Sequence, residues 1–172
     1  VGNPGRSGKV IGVGALSNAT GVYANFSNKG PTDNLNPGPP TYPDARGFPD
    51  LKPNVSAPGT NVNSANNTGD DAYFLDSGTS MAAPHTAGVV ALMWSAAPCV
   101  RGDWSATGTI LMSTATAIPV ATGSPSDGPG NVPNQATGWG EINALAAVDA
   151  AVAQCGSGGT PVASVDPTSL SL

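Results

Sequence analysis

The sequence predicts an α/β chain, and three stretches carry that expectation. Lys9-Val10-Ile11-Gly12-Val13-Gly14-Ala15-Leu16 is a continuous apolar run with β-branched residues, as a strand covered on both faces requires. Met81 to Trp94 has no Asp, Glu, Lys or Arg and is rich in Ala and Gly. A helix apolar nearly all round is a buried one, here of about four turns. Gly138 to about Gln154 reads as an amphipathic helix, with Glu141 in a first turn whose dipole favours a carboxylate.

Composition sets the frame for these elements. A chain of 172 residues has room for one domain with a real core. Charged residues make up only 10%, while 23 Gly and 17 Pro describe a compact chain with many turns. The net charge of −5 argues against a nucleic-acid partner, and no basic cluster opposes that reading. The uncharged helix is too short and too rich in Gly and Ala to span a bilayer. The chain opens without an initiator Met or a charged-then-apolar leader, so it is expected to be a piece of something longer.

The remaining segments follow in order. Val22 to Phe26 alternates as a second strand would, and Lys29 to Asp50 reads as a long surface insertion full of turns. Asp33, Asp44 and Asp50 within it are oxygen ligands of the type calcium takes, although a solvated acidic loop is the plainer reading. Ala72-Tyr73-Phe74-Leu75 is a strand feeding the segment around Ser80. Trp104 to Thr114 reads as a helix with Asp103 or Ser105 near its start, and residues 118–137 as a Pro/Gly/Ser loop. Asn18, Asn25, Asn54 and Asn66 stand in glycosylation-acceptor form.

Cys99 and Cys155 lack metal-ligand spacing, and a single His leaves no zinc constellation. Each follows a predicted helix, and two such ends can meet at the surface. A disulfide in an oxidising, extracellular setting is expected, the alternative being two unpaired, inert thiols. Residues 156–161 form a Gly/Ser linker after a domain at 1–155. Val162 to Leu172 alternates like the opening strand of a further β-domain.

Ser80 sits where a loop enters the uncharged helix. A serine hydroxyl there can cap the helix, or it can be presented to a substrate. The exposed amides and positive dipole end would then favour a developing oxyanion. His85 is the chain's single histidine and lies five residues on, on a different face of the helix, so it is a poor general base for Ser80.

Gly78-Thr79-Ser80-Met81-Ala82-Ala83-Pro84-His85, followed by Ala87-Gly88, resembles the nucleophile motif of the subtilisin family of serine peptidases almost letter for letter. Three further stretches are similar to that family in the same order: Val1-Gly2-Asn3-Pro4-Gly5 before the apolar strand, Lys52-Pro53-Asn54-Val55-Ser56-Ala57-Pro58-Gly59, and Gly138-Trp139-Gly140-Glu141-Ile142-Asn143-Ala144. The resemblance covers residues 1–154, the C-terminal half of a catalytic domain. It implies a three-layer fold with helices on both faces of a mainly parallel sheet. It implies Ser80 as nucleophile and its N–H as one oxyanion donor, with Gly2 and Thr79 as substrate-binding residues. The catalytic Asp and His and the oxyanion Asn would precede residue 1, Asn3 being a turn residue. Asn54 stands where the family often has an acidic residue that joins backbone carbonyls in a cation site, and a neutral amide weakens such a site.

The function implied is a secreted or cell-surface serine endopeptidase acting on polypeptides, of which this piece alone is expected to be inactive and unstable. Its partner would be the N-terminal half of its own catalytic domain. A non-catalytic surface protein with the same fold is the alternative from another class. Asp76-Ser77-Gly78-Thr79-Ser80 also resembles the aspartic-peptidase string, with Asp76 as one of a carboxylate pair. That family's lobes are nearly all β-structure, whereas a helical run follows here.

Overall fold

A computed structural model describes residues 10–18, 21–30, 51–124 and 127–156. The first described strand, β1 (Val13–Leu16), pairs in parallel with β2 (Val55–Pro58), in the register Val13↔Val55 to Leu16↔Pro58. Both are buried along most of their length, as their apolar runs require. Beyond β2 the chain forms an antiparallel hairpin of β3 (Val62–Ala65) and β4 (Tyr73–Asp76). Three α-helices follow: α1 (Thr79–Ala96), α2 (Trp104–Thr114) and α3 (Ala144–Gln154). The fold is α/β. Its parallel part is the β1–β2 pair, with α1 packed on both strands and against α3, and α2 packed on α3.

The core lies where these helices meet. Val89, Met93 and Ala97 from α1 and its end pack with Val100, with Ile110, Leu111 and Met112 from α2, and with Ala147 and Ala151 from α3. A second cluster of small residues, Ala15, Ala24, Ala57 and Ala82, lets the start of α1 approach the two strands closely. Cys99 and Cys155 form a disulfide, which ties the turn after α1 to the end of α3.

Helix boundaries follow local capping. Asp103 caps α2, its Oδ1 accepting from the amides of Ser105 and Ala106 at 3.0 and 2.9 Å. Asn143 caps α3 by accepting from Ala146 N at 3.0 Å. That cap corrects the expected start at Gly138, because Gly138 and Gly140 have φ of 63° and 121° and Glu141 lies in β-bridges to Ser56 and Thr116. Ser56 N donates to Gly140 O and Ile142 N to Ser56 O, while Glu141 exchanges both backbone bonds with Thr116. Glu141 is therefore not in a helix turn, since pairing with β2 overrides its helical pattern.

Two other expectations are revised, and the expected 118–137 loop is packed inside at its end. Val22 to Phe26 is no strand. Only Tyr23 bridges Leu16, and the chain turns at Gly21 (φ 64°), leaving Val22 and Phe26 each 46% exposed. Within the 118–137 loop, Asn134, Gln135, Ala136 and Thr137 are buried. Asn134 Oδ1 accepts from the amides of Ala136 and Thr137, whereas the buried Gln135 Nε2 has no hydrogen-bond partner. Finally, α1 is not buried all round. Ala82, Thr86, Val89 and Met93 form its buried stripe, while Ala83, Ala87, Gly88, Ala91 and Leu92 are exposed.

Gly2, Asn3, Asp33, Asp44 and Asp50 lie outside the described residues, as does the segment after Gly156.

Candidate active site

Ser80 is exposed at the second position of α1. Gly78 occupies the N-cap and no side chain caps the helix, so the serine hydroxyl is not spent on capping. The first helical amides to find acceptors are Met81 N and Ala82 N, both on Gly78 O at 3.0 and 3.3 Å. The amides of Thr79 and Ser80 precede them at the helix N-terminus, where no intrahelical acceptor exists. Exposed Thr79 lies directly beside the hydroxyl.

The turn that presents Ser80 is held from below by the corner after β2. Gly78 N donates to Gly59 O at 2.8 Å, and Gly59 N donates to Leu16 O at 3.0 Å. Asn61 N donates to Ser77 Oγ at 2.9 Å, and Asn18 N to Thr60 Oγ1 at 2.9 Å. No side chain fits at Gly59, where a Cβ would lie 2.6 Å from Ala15 Cβ and 2.9 Å from Gly78 O. Ser80 therefore stands just beyond the C-terminal ends of β1 and β2 and at the N-terminus of α1, the place where open α/β sheets gather ligands. Gly59 was legible in the sequence as the end of the Lys52–Gly59 stretch, where the Pro58-Gly59 pair marks a turn but not what rests on it.

His85 is exposed, and its Nδ1 donates to Met81 O at 2.8 Å, in the helix's own backbone. Asp76, at the end of β4, accepts from Ser77 N at 2.7 Å. The helix of 18 residues that follows Ser80's turn departs from the nearly all-β lobes of the aspartic peptidases.

At the entry ends of the strands, Lys52 and Asn54 are both buried. Lys52 Nζ donates to Val10 O at 2.7 Å and to Asn54 Oδ1 at 2.6 Å. Burial pushes the ammonium from its ordinary 10.5 down to about 8. Asn54 Oδ1 also accepts from Gly12 N at 2.8 Å, so the amide ties β1 to β2. Its burial also removes Asn54 from the glycosylation candidates. Among the described residues, no group of three or more His, Cys, Asp or Glu could hold a metal.

The model of the Subtilase family of peptidases matches residues 1–140. This chain belongs to the subtilase family. A curated relative is an extracellular protease of Xanthomonas campestris pv. campestris, 37% identical over 154 residues, covering 87% of this chain and 21% of that protein. Among solved structures, a protease of Pseudoalteromonas arctica is 31% identical with a TM-score of 0.58, covering 87% of this chain and 38% of that one. The prenylagaramide maturation protease PagA is 26% identical with a TM-score of 0.56, covering 86% and 44%. The CspB protease of Clostridium perfringens shares the fold, with a TM-score of 0.61 at 24% identity over 88% and 28%. The chain thus spans about a fifth of its curated relative and less than half of these subtilase structures.

Proposed function

We propose that this chain supplies the nucleophile of a secreted subtilase serine endopeptidase. Ser80 Oγ attacks the carbonyl carbon of a peptide bond, and its proton passes to a histidine. The tetrahedral oxyanion is met by Ser80 N–H and by an asparagine side chain from preceding sequence. On collapse the histidine gives that proton to the leaving nitrogen, the amine departs and an acyl-enzyme remains on Ser80. Water then hydrolyses it, its oxygen going to the acid and a proton back to Ser80 Oγ.

The observation that carries this reading is the exposed, non-capping Ser80 at the mouth of α1, ahead of the first amide used by the helix. The chain's single histidine is engaged with Met81 O, so the base and its orienting carboxylate come from the N-terminal half of the domain. The exposed small-residue face of α1 supports docking of that half. Alone, these residues would hydrolyse peptides more slowly by ~10⁴ or more. Gly2 would line the pocket for the residue before the cut bond, with Thr79 beside the nucleophile. The disulfide supports an extracellular setting, and among the described residues no helix is long and apolar enough to cross a membrane.

Labelling of the full-length protein with a fluorophosphonate tests the reading. The label is expected on the peptide containing Ser80, and its loss is expected in Ser80→Ala. A folded full-length protein that takes no label would refute the catalytic role.

A further inference from the structure

Among the described residues, the hairpin that leads into Ser80 has a surface that no other element covers. Tyr73, Phe74 and Leu75 are 66%, 42% and 63% exposed, although three consecutive large apolar residues usually secure a strand to a core. Alternation puts Tyr73 and Leu75 on one face, where their register partners Ala65 and Asn63 are exposed too. Within the hairpin and its flanks, residues 61–77, every charged side chain is a carboxylate. Asp70 and Asp71 lie in the exposed segment just before β4, and Asp76 ends the strand, all three exposed. From Pro53 to Val100 the sequence has no Lys or Arg to neutralise them.

The hairpin is not loosely attached to the site. Ser77 Oγ holds Asn61 N at one side of its base, and Gly78 N holds Gly59 O at the other. Four residues separate Asp76 from Ser80, a span of at most about 14 Å. An extended peptide cut at Ser80 would pass Asp76 within about three or four residues of the cleaved bond. Running alongside β4, it would reach Asp71 and Asp70 about five and six residues further on.

We propose that the β3–β4 hairpin selects the peptidase's substrates, docking a polypeptide segment on one side of the cut bond that carries Lys or Arg beside apolar residues. This rests on the serine-peptidase reading above and names the substrate class for the same site. The apolar face offers non-directional contact area, and the outer edge of the hairpin offers backbone groups to an extended chain. The carboxylates set which chains approach and in which register.

The test uses the full-length protein and quenched fluorescent peptides of one core sequence, with Arg or Glu placed about two to ten residues from the cut bond on either side. The expected result is a kcat/KM preference for Arg over Glu of roughly five- to tenfold, on one side only and weaker at high salt. The Asp70→Asn, Asp71→Asn, Asp76→Asn triple variant is expected to bring that ratio close to one. Equal rates on both peptides in a protein that labels at Ser80 would overturn the docking proposal and leave the peptidase reading intact. A preference unchanged in the triple variant would overturn it too. If Tyr73→Ser with Leu75→Ser makes the full-length protein melt early, another part of the protein covers this face and the proposal fails. Should the triple variant not fold, the substrate series on the unmodified protein decides alone. Absence of Ser80 labelling would instead remove the peptidase reading itself.

Discussion

Cutting the Cys99–Cys155 bridge offers a direct measure of what holds the helical layer together. The two cysteines lie 56 residues apart in sequence and close a loop containing α2 and the buried 133–137 segment. On the chain-entropy account, opening a loop of that length in the unfolded state costs about 4 kcal/mol of stability. The folded corner need not rearrange, because Met93, Ala97 and Val100 already pack against Ala147 and Ala151 without the sulfurs. The loss should therefore appear as an unfolded-state effect, lowering the melting temperature by roughly 10 °C in a domain of this size. Melts of the oxidised protein and of the Cys99→Ser, Cys155→Ser variant, followed by circular dichroism, measure it. Native-like spectra with a large downward shift are expected. A shift under about 2 °C would refute the loop-closure reasoning and put the stability of that corner in its apolar packing.

Three further outcomes follow from single side chains. Thr86 Oγ1 is buried in α1 without a hydrogen-bond partner, so Thr86→Val should raise stability by about 1 kcal/mol in urea unfolding. Gly59→Ala would force the corner beneath Gly78 apart; in the full-length protein it should lower the proposed Ser80 labelling rate on the order of 10²-fold. A folded Gly59→Ala protein that labels normally would show that the corner does not position Ser80. Lys52 titrates near 8 when folded and at 10.5 when unfolded, so the unfolded state holds more protons between those values. Stability should rise with pH across that window by about 3 kcal/mol at most, and the rise should vanish in Lys52→Met.

What was legible in the sequence was local. The Asp103 cap and the apolar spacing set α2 at Trp104–Thr114, as expected. The Gly78-Thr79-Ser80 turn opening a helix was readable because glycine, hydroxyl residues and a long Ala-rich run each specify the same local structure. What escaped depended on partners distant in sequence. Glu141 looked helical by pattern but is pinned as an extended residue by Thr116 and Ser56. β3 has no apolar alternation to announce it, since Val62-Asn63-Ser64-Ala65 is held by pairing with β4 rather than by a core. Lys52 would be placed in solvent by any composition rule, and only the meeting of β1 and β2 entries accounts for its burial. Pro84 is the sixth residue of α1, which starts at Thr79, so the proline sits in the second turn rather than the first.

That placement has a consequence for Ser80 itself. A helical amide at position 84 would bond to the carbonyl of residue 80, and proline has no such hydrogen to give. The serine's peptide thus skips a rung of the ladder on its carbonyl side, and its amide lies ahead of the first rung. Ser80 rides at the end of a rod without being gripped by it, and its position is set by the strand corner underneath. Helix and corner can then be retuned separately, the first for rigidity and the second for the setting of the serine.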